Sequence, residues 1–374
     1  MEQYKKVKNW LISSGLCVLD KSDPNAGGVH SFYDTKKHEF GFLYPEITGY
    51  YISTMKFLHA QEKSENYIEI AKLCGSWLMG VYEKYGGIIM GVGSESRMID
   101  QVFSFDTSIC AKGFLDLYEM TGEEKYREFA KNLLDWLATK CVEEDGTVKP
   151  IMDRNSQKFV ETSMWYAQKG CFGIKLAMPF LQFDQNSQFK GIATKVLDLF
   201  KKFQNSDGSF ALHLGSKSVN LHSHSYAMEG LLYAFSVLQN SDYLESCKKG
   251  LDWAVKQMNN DGSIFLWANF NYKSKAAYPI AQLIRLMILV DRIEGKPRYK
   301  EAAKRLIDFL LTLQATEEDQ SMNGGFYEEF HKSVLGWKKQ NRINSWTSMF
   351  ALQALNWSGN YENISFDNSI KFLF

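Results

Sequence analysis

Apolar residues recur at helical intervals along most of the chain. Val7, Trp10 and Leu11 open the series, and Ile47, Tyr50, Tyr51, Thr54, Phe57 and Leu58 continue it. The same spacing predicts helix pairs over 67–82 with 106–119, 125–139 with 162–181, 189–203 with 224–238, 244–258 with 276–293, and 299–313 with 344–357. Within each pair the first helix is charged on one side, as in Lys300-Glu301-Ala302-Ala303-Lys304-Arg305. The second is apolar almost throughout, as in Met349-Phe350-Ala351-Leu352-Gln353-Ala354-Leu355. A helix apolar on most faces is buried and an amphipathic one meets water, so an inner and an outer ring of helices is expected.

Glycine-centred loops punctuate this pattern: Gly27-Gly28, Gly86-Gly87, Asp145-Gly146-Thr147, Asp207-Gly208-Ser209, Asp261-Gly262-Ser263 and Asn323-Gly324-Gly325. Their period of about sixty residues marks one supersecondary unit used repeatedly, because a single helix pair cannot bury its apolar face alone. The expectation is an all-α chain, six hairpins closed into an (α/α)6 toroid and forming a single domain over residues 1–374. An open solenoid would require polar capping repeats, which neither end supplies.

Composition narrows the function classes. The 374 residues are 45% hydrophobic, and 43 Lys and Arg balance 43 Asp and Glu, so no global field attracts nucleic acid or an anionic membrane. The N-terminal residues enter an amphipathic helix without an apolar signal segment, and the expected location is the cytoplasm. Cys17, Cys74, Cys110, Cys141, Cys171 and Cys247 show no C-x-x-C spacing and are expected to be reduced, packed thiols. No phosphate loop, dinucleotide fingerprint or G-x-S-x-G elbow occurs, so neither a nucleotide cofactor nor serine-hydrolase chemistry is expected.

Aromatic residues make 14% of the chain, and many fall where a loop enters an apolar helix: Tyr44, Tyr50, Trp165, Tyr166, Tyr226, Trp267, Tyr278 and Trp346. In a toroid those junctions line one end of a central funnel. Flat rings with a polar tip suit sugars, which have apolar faces and polar edges. His30 and Asn344 stand at equivalent junctions and join these as candidate substrate contacts.

Polar residues gather at the same helix starts, where the helix dipole and unpaired N–H groups favour anionic partners. Asp106, Glu46 and Glu161 are the candidate acid–base carboxylates, and His222 and His224 the candidate imidazoles. Each also has a structural reading: Asp106 and Glu161 as caps or first-turn acids, Glu46 as a first-turn acid behind Pro45. The H-x-H pair lacks a third ligand at a convincing spacing, so no metal is expected.

The stretches Tyr44–Tyr50, Phe105-Asp106-Thr107, His222–Gly230 and Asn344-Ser345-Trp346-Thr347 resemble motifs of toroid proteins encoded with surface-polysaccharide genes. More broadly the chain is similar to the six-hairpin glycosidase superfamily, which includes unsaturated glucuronyl hydrolases, sugar epimerases and the helical domains of polysaccharide lyases. Ser108 stands where that resemblance implies glycine. The resemblance implies a carbohydrate substrate and, first, a glycoside hydrolase. An epimerase or lyase would use His222, His224, Tyr226 and Tyr50, with Lys169, Lys273 or Arg342 for a substrate carboxylate. Gln204–Phe210 also looks like a repeat motif of terpenoid-cyclase toroids, without their D-x-D-D acid, and a non-catalytic glycan-binding toroid is the remaining alternative.

Overall fold

The computed structural model describes every residue except 1, 94–98, 161–163, 184–187, 272 and 335. The helices, in chain order, are α1 (Glu2–Ser13), α2 (Pro45–Glu62), α3 (Glu65–Tyr85), α4 (Ser104–Thr121), α5 (Glu124–Trp136) and α6 (Ala177–Phe183). They continue as α7 (Gln188–Lys201), α8 (Leu221–Leu238), α9 (Ser241–Lys256), α10 (Ala277–Glu294), α11 (Lys300–Leu311) and α12 (Ser345–Gly359). The predicted alternation holds. Every residue of α2 from Pro45 to Leu58 is buried, whereas α1 buries only Val7, Trp10 and Leu11.

One predicted helix is corrected. Residues 165–183 do not form a single helix: a 3-10 turn at Trp165–Ala167 and a 3-10 segment at Cys171–Leu176 precede the short α6. Gly170 and Gly173 weaken helix formation there, and Pro179 lacks the N–H that an interior turn needs.

The chain packs as two compact units. The first comprises Met1–Leu16, Phe32–Phe40 and Phe200–Leu373, and the second Cys17–Ser31, Gly41–Leu199 and Phe374. In the first, α8, α10 and α12 lie side by side and α1 packs on α12. In the second, α2, α4 and α6 lie side by side, with α3 and α5 against them.

Short antiparallel ladders, which the helical spacing did not reveal, fix where the apolar helices begin. In the second unit Gln101–Phe103 pairs with Ile151–Asp153, and Phe103 is the N-cap of α4. In the first, Asn220 pairs with Trp267, Ala276 with Glu329 and Asn344 with Phe32; these are the N-caps of α8, α10 and α12. The helix starts are therefore held on both sides of the chain, by backbone pairing before and by apolar packing after.

The glycine loops act through close approach. A Cβ on Gly27 or Gly146 would lie 2.2 Å from the carbonyl oxygen of Leu73 (α3) or Lys195 (α7) in the second unit. On Gly208, Gly262 or Gly324 it would lie 2.3 Å from that of Lys249 (α9), Arg305 (α11) or Lys6 (α1) in the first. Each of these glycines also has a left-handed φ, between +83° and +96°, so no other residue fits. The Gly324–Lys6 contact seats the last hairpin's loop on the first helix. Gly86 differs, closing α3 as a left-handed cap at φ +69°.

All six cysteines are buried thiols without a disulfide. Among the described residues, no helix is long and apolar enough to cross a membrane.

Candidate active site

In the second unit, α2 and α4 each place a carboxylic acid in their first turn. Pro45 sits at the start of α2, where its missing N–H costs nothing, and Glu46 follows. Asp106 occupies the first turn of α4, whose N-cap is Phe103, so Asp106 is a first-turn acid and not the cap. The two helices approach through glycines. A Cβ on Gly49 would lie 3.0 Å from the Ile109 carbonyl oxygen, and one on Gly113 would lie 2.8 Å from that of Gly49. Ser108, where glycine was implied, is fully buried and donates its hydroxyl to the Phe105 carbonyl at 2.8 Å.

Glu46 and Asp106 are 8% and 4% exposed, and Asp106 Oδ2 is buried with no hydrogen-bond partner. Burial drives the Asp106 carboxyl well above the ordinary carboxylate range, and the charge of Glu46 adds to the effect. Burial also raises Glu46, to about 7, while a hydrogen bond from Tyr44 and the charge of Lys175 oppose it. Both carboxyls therefore favour the protonated form more than an exposed acid does. Cys110, whose thiol is also pushed up by burial and then by both acids, donates to the Pro45 carbonyl at 3.3 Å.

The other ends of the same helices show what a structural acid looks like here. Asp116 of α4 receives Lys56 Nζ at 2.7 Å and Lys112 Nζ at 2.9 Å. Burial would raise Asp116, but Lys112 and Lys56 outweigh it and hold the carboxyl far below its usual range. Among the described residues, Asp106 has no such cation.

Lys175 is the residue that sequence reasoning missed. It is fully buried on the Cys171–Leu176 segment, with Nζ 5.0 Å from the Tyr50 ring centroid. A signal existed in the sequence: a lysine inside the apolar run Phe172-Gly173-Ile174-Lys175-Leu176 is a buried charge seeking a role. The same segment reaches α4 through Phe172, 5.6 Å from Phe105, and the preceding Trp165–Ala167 turn brings Tyr166 to 6.4 Å from the N-cap Phe103. His30 pairs with Leu43 just before Tyr44, and its Nδ1–H donates to the Gly41 carbonyl at 2.6 Å; burial lowers its pKa. Glu161 lies outside the described residues, and of Trp165 only its backbone place in the 3-10 turn is described.

The first unit groups the imidazoles with a second set of rings. The Asn220 side chain caps α8, accepting from the His222 and Ser223 N–H groups at 3.1 Å each. His222 Nδ1–H donates to Gln282 Oε1 at 2.6 Å, and its ring lies 4.0 Å from Tyr226 and 4.6 Å from Tyr278. Tyr278 in turn lies 6.3 Å from Trp346, near the start of α12, where Asn344 Oδ1 accepts from the Thr347 N–H at 2.9 Å. Glu328, beside Arg342 and Asn344, is raised to about 7 by burial.

His224 is placed differently. It is fully buried, Nδ1 accepts from the Phe210 N–H at 3.0 Å, and Nε2–H donates to the Gly250 carbonyl at 3.2 Å. Burial lowers its pKa to about 4, so the ring is neutral and both nitrogens serve the backbone. Glu229 is likewise internal, paired with Arg285, which also donates to Gln353 Oε1 at 2.8 Å. Lys169 lies 3.7 Å from Glu143, and Arg342 lies 4.3 Å over Phe32. Among the described residues, no group of three His, Cys, Asp or Glu side chains is arranged to hold a metal ion.

No protein-family model and no curated protein matches the chain by sequence. Solved structures do match it in three dimensions. The cellobiose 2-epimerase from Bacillus thermoamylovorans superposes with a TM-score of 0.76 over 93% of this chain and 97% of that one, at 15% identity. The unsaturated glucuronyl hydrolase from Bacillus sp. GL1 gives 0.69 over 95% and 96%, at 14% identity. A D-mannose isomerase gives 0.75 over 95% of each chain, at 11% identity. The chain therefore has the (α/α)6 toroid fold that these proteins share.

Proposed function

We propose that this chain is a carbohydrate-active enzyme, and that its chemistry is acid–base catalysis by Asp106 and Glu46, as in glycosidic cleavage. The observation that carries the reading is the buried carboxyl pair in which Asp106 has, among the described residues, neither a cation nor a partner for Oδ2. A fold built only for stability would pair that acid as it pairs Asp116.

The two environments divide the labour. Asp106, whose protonated form burial favours, is the general acid for the leaving oxygen. Glu46, whose ionised form is favoured by the Tyr44 hydroxyl and the Lys175 ammonium, is the base that activates water. Cleavage then transfers the Asp106 proton to the departing sugar oxygen while Glu46 takes one from the attacking water. Tyr50, Tyr166 and His30 are the proposed sugar contacts in this unit, and Lys175 is a positioning residue for the pair.

The test is incubation with a panel of neutral and uronic-acid oligosaccharides in 18O-water. Cleavage with one labelled oxygen in the product supports the reading, and no cleavage of any member contradicts it.

A second reading has its own observation. Gln282 holds the proton of His222 on Nδ1, which leaves the lone pair on Nε2 and suits the imidazole to removing a proton beside a sugar carbonyl. Deuterium uptake at that carbon from D2O without cleavage would favour an epimerase or isomerase over a hydrolase.

A further inference from the structure

In the first unit, buried polar atoms without partners stand around the starts of α10 and α12. Glu328 Oε2, Gln282 Nε2 and Thr347 Oγ1 have no hydrogen-bond partner among the described residues. Leaving such groups unpaired away from water is costly, so their grouping marks a place where something else binds. Glu328 itself is held by backbone on both sides. Its N–H donates to the Arg342 carbonyl and its own carbonyl accepts from the Ala277 N–H, each at 2.9 Å. Ala277 opens α10, and Arg342 lies just before Asn344, the N-cap of α12.

This places Glu328 at the helix starts that carry the His222 group of rings. Tyr278, next to Ala277, lies 4.6 Å from the His222 ring and 6.3 Å from Trp346. Gln282, one turn further along α10, is the partner of His222 Nδ1. The same unit pairs its structural acids: Glu229 with Arg285, and Asp291 with the Tyr299 N–H at 3.0 Å and the Tyr361 hydroxyl at 2.6 Å. Glu328 has the charge of Arg342 nearby but keeps Oε2 unbound, and burial raises its carboxyl to about 7. An acid of that strength both gives and takes a proton near neutral pH.

Removing a proton from the carbon beside a sugar carbonyl needs a base for the carbon and an acid for the oxygen, because the negative charge that develops there is costly in a buried site. His224 serves the backbone at both nitrogens, which leaves the base to His222. We propose that Glu328 is a further catalytic residue of the first unit, the acid that protonates the substrate's carbonyl oxygen while His222 removes the neighbouring C–H proton. In the interconversion of an aldose and a ketose, His222 takes the proton from carbon 2 and the C–H electron pair becomes a C=C bond. The carbonyl oxygen on carbon 1 takes the Glu328 proton, which gives a neutral enediol. His222 then returns its proton to carbon 1 while Glu328 recovers one from the hydroxyl on carbon 2, so both residues end as they began. The inference rests on the second reading, of His222 as a base, and supplies the acid which that reading lacks.

The test follows loss of the carbon-2 proton signal of D-mannose, D-glucose and cellobiose in D2O, by NMR, with wild type, Glu328→Gln and Glu328→Asp. Wild type should exchange the proton of at least one sugar. Glutamine keeps the shape and the backbone bonds but has no proton to transfer, so kcat should fall about 10²–10⁴-fold with KM within a few-fold and the melting temperature unchanged. Aspartate keeps the acid and should recover part of the loss, whereas a side chain needed only for shape would be served better by glutamine. Exchange by Glu328→Gln at the wild-type rate, or an aspartate variant as inactive as the glutamine one, would overturn the inference and leave the second reading standing. A wild type that exchanges none of the three sugars would overturn both.

Discussion

Gly113 of α4 lies with its Cα face against the backbone of Gly49 in α2, so close that a Cβ would stand 2.8 Å from the Gly49 carbonyl oxygen and 3.1 Å from its Cα. Both partners are backbone, so neither can swing aside. The contact sets the spacing of the two helix starts that carry Glu46 and Asp106. Gly113→Ala should therefore destabilise the protein by about 1–3 kcal/mol, the cost of overpacking, although alanine is the better helix former. It should also lower activity on any cleaved substrate at temperatures where the variant is fully folded. Urea denaturation together with steady-state kinetics checks both parts.

The acid pair has a stability cost with a definite sign. Both carboxyls have folded-state pKa values above their unfolded ones, so the stability they confer is fully present at low pH. It declines as pH rises from about 4.5, the unfolded value for Glu46, through about 7, its folded value. Asp106, raised by burial and by the charge of Glu46, adds to the decline. Asp106→Asn and Glu46→Gln should each flatten that decline, melting above wild type at pH 8 and closer to it at pH 5. Thermal melts across this range measure it; a parallel pH dependence in wild type and variants would mean that the pair is not buried as described.

His224 titrates in the opposite sense. Its folded-state pKa lies near 4, below the unfolded value of 6.5, so its contribution to stability is present above pH 6.5 and is lost as pH falls through about 4. His224→Gln should cost roughly 1–3 kcal/mol near neutrality by disturbing the bonds to the Phe210 N–H and the Gly250 carbonyl. The same variant should keep kcat within a few-fold and show a shallower acid limb in its melting profile. A large kcat loss with unchanged stability would instead give His224 a chemical role.

The alternation of charged and apolar helices was legible because burial on all faces, as from Leu221 to Ala234, leaves a plain signal in composition. The glycine rhythm was legible for a related reason: Gly208, Gly262 and Gly324 each meet a carbonyl oxygen where no side chain fits. The segment holding Lys175 was not legible. Its 3-10 geometry has no amphipathic period, and Gly170, Gly173 and Pro179 interrupt the helical pattern that the neighbouring apolar residues suggest. The ladders at Phe103, Asn220 and Asn344 are two or three residues long, too short for alternation to show. Asp106 and Glu46 could be nominated from their helix-start positions. That the helices carrying them meet at a glycine contact, and that the charge of one acid acts on the other, depends on packing that spacing along the chain does not encode.

The most direct test of the acid–base assignment is the kcat of Asp106→Asn on an oligosaccharide that the wild type cleaves, measured beside its melting temperature. Asparagine preserves the shape of the side chain and removes the proton that Asp106 is assigned to donate. The account predicts a fall in kcat of at least about 10²-fold with the fold intact, since general acid–base catalysis typically contributes 10²–10⁴-fold. Turnover equal to wild type would contradict it.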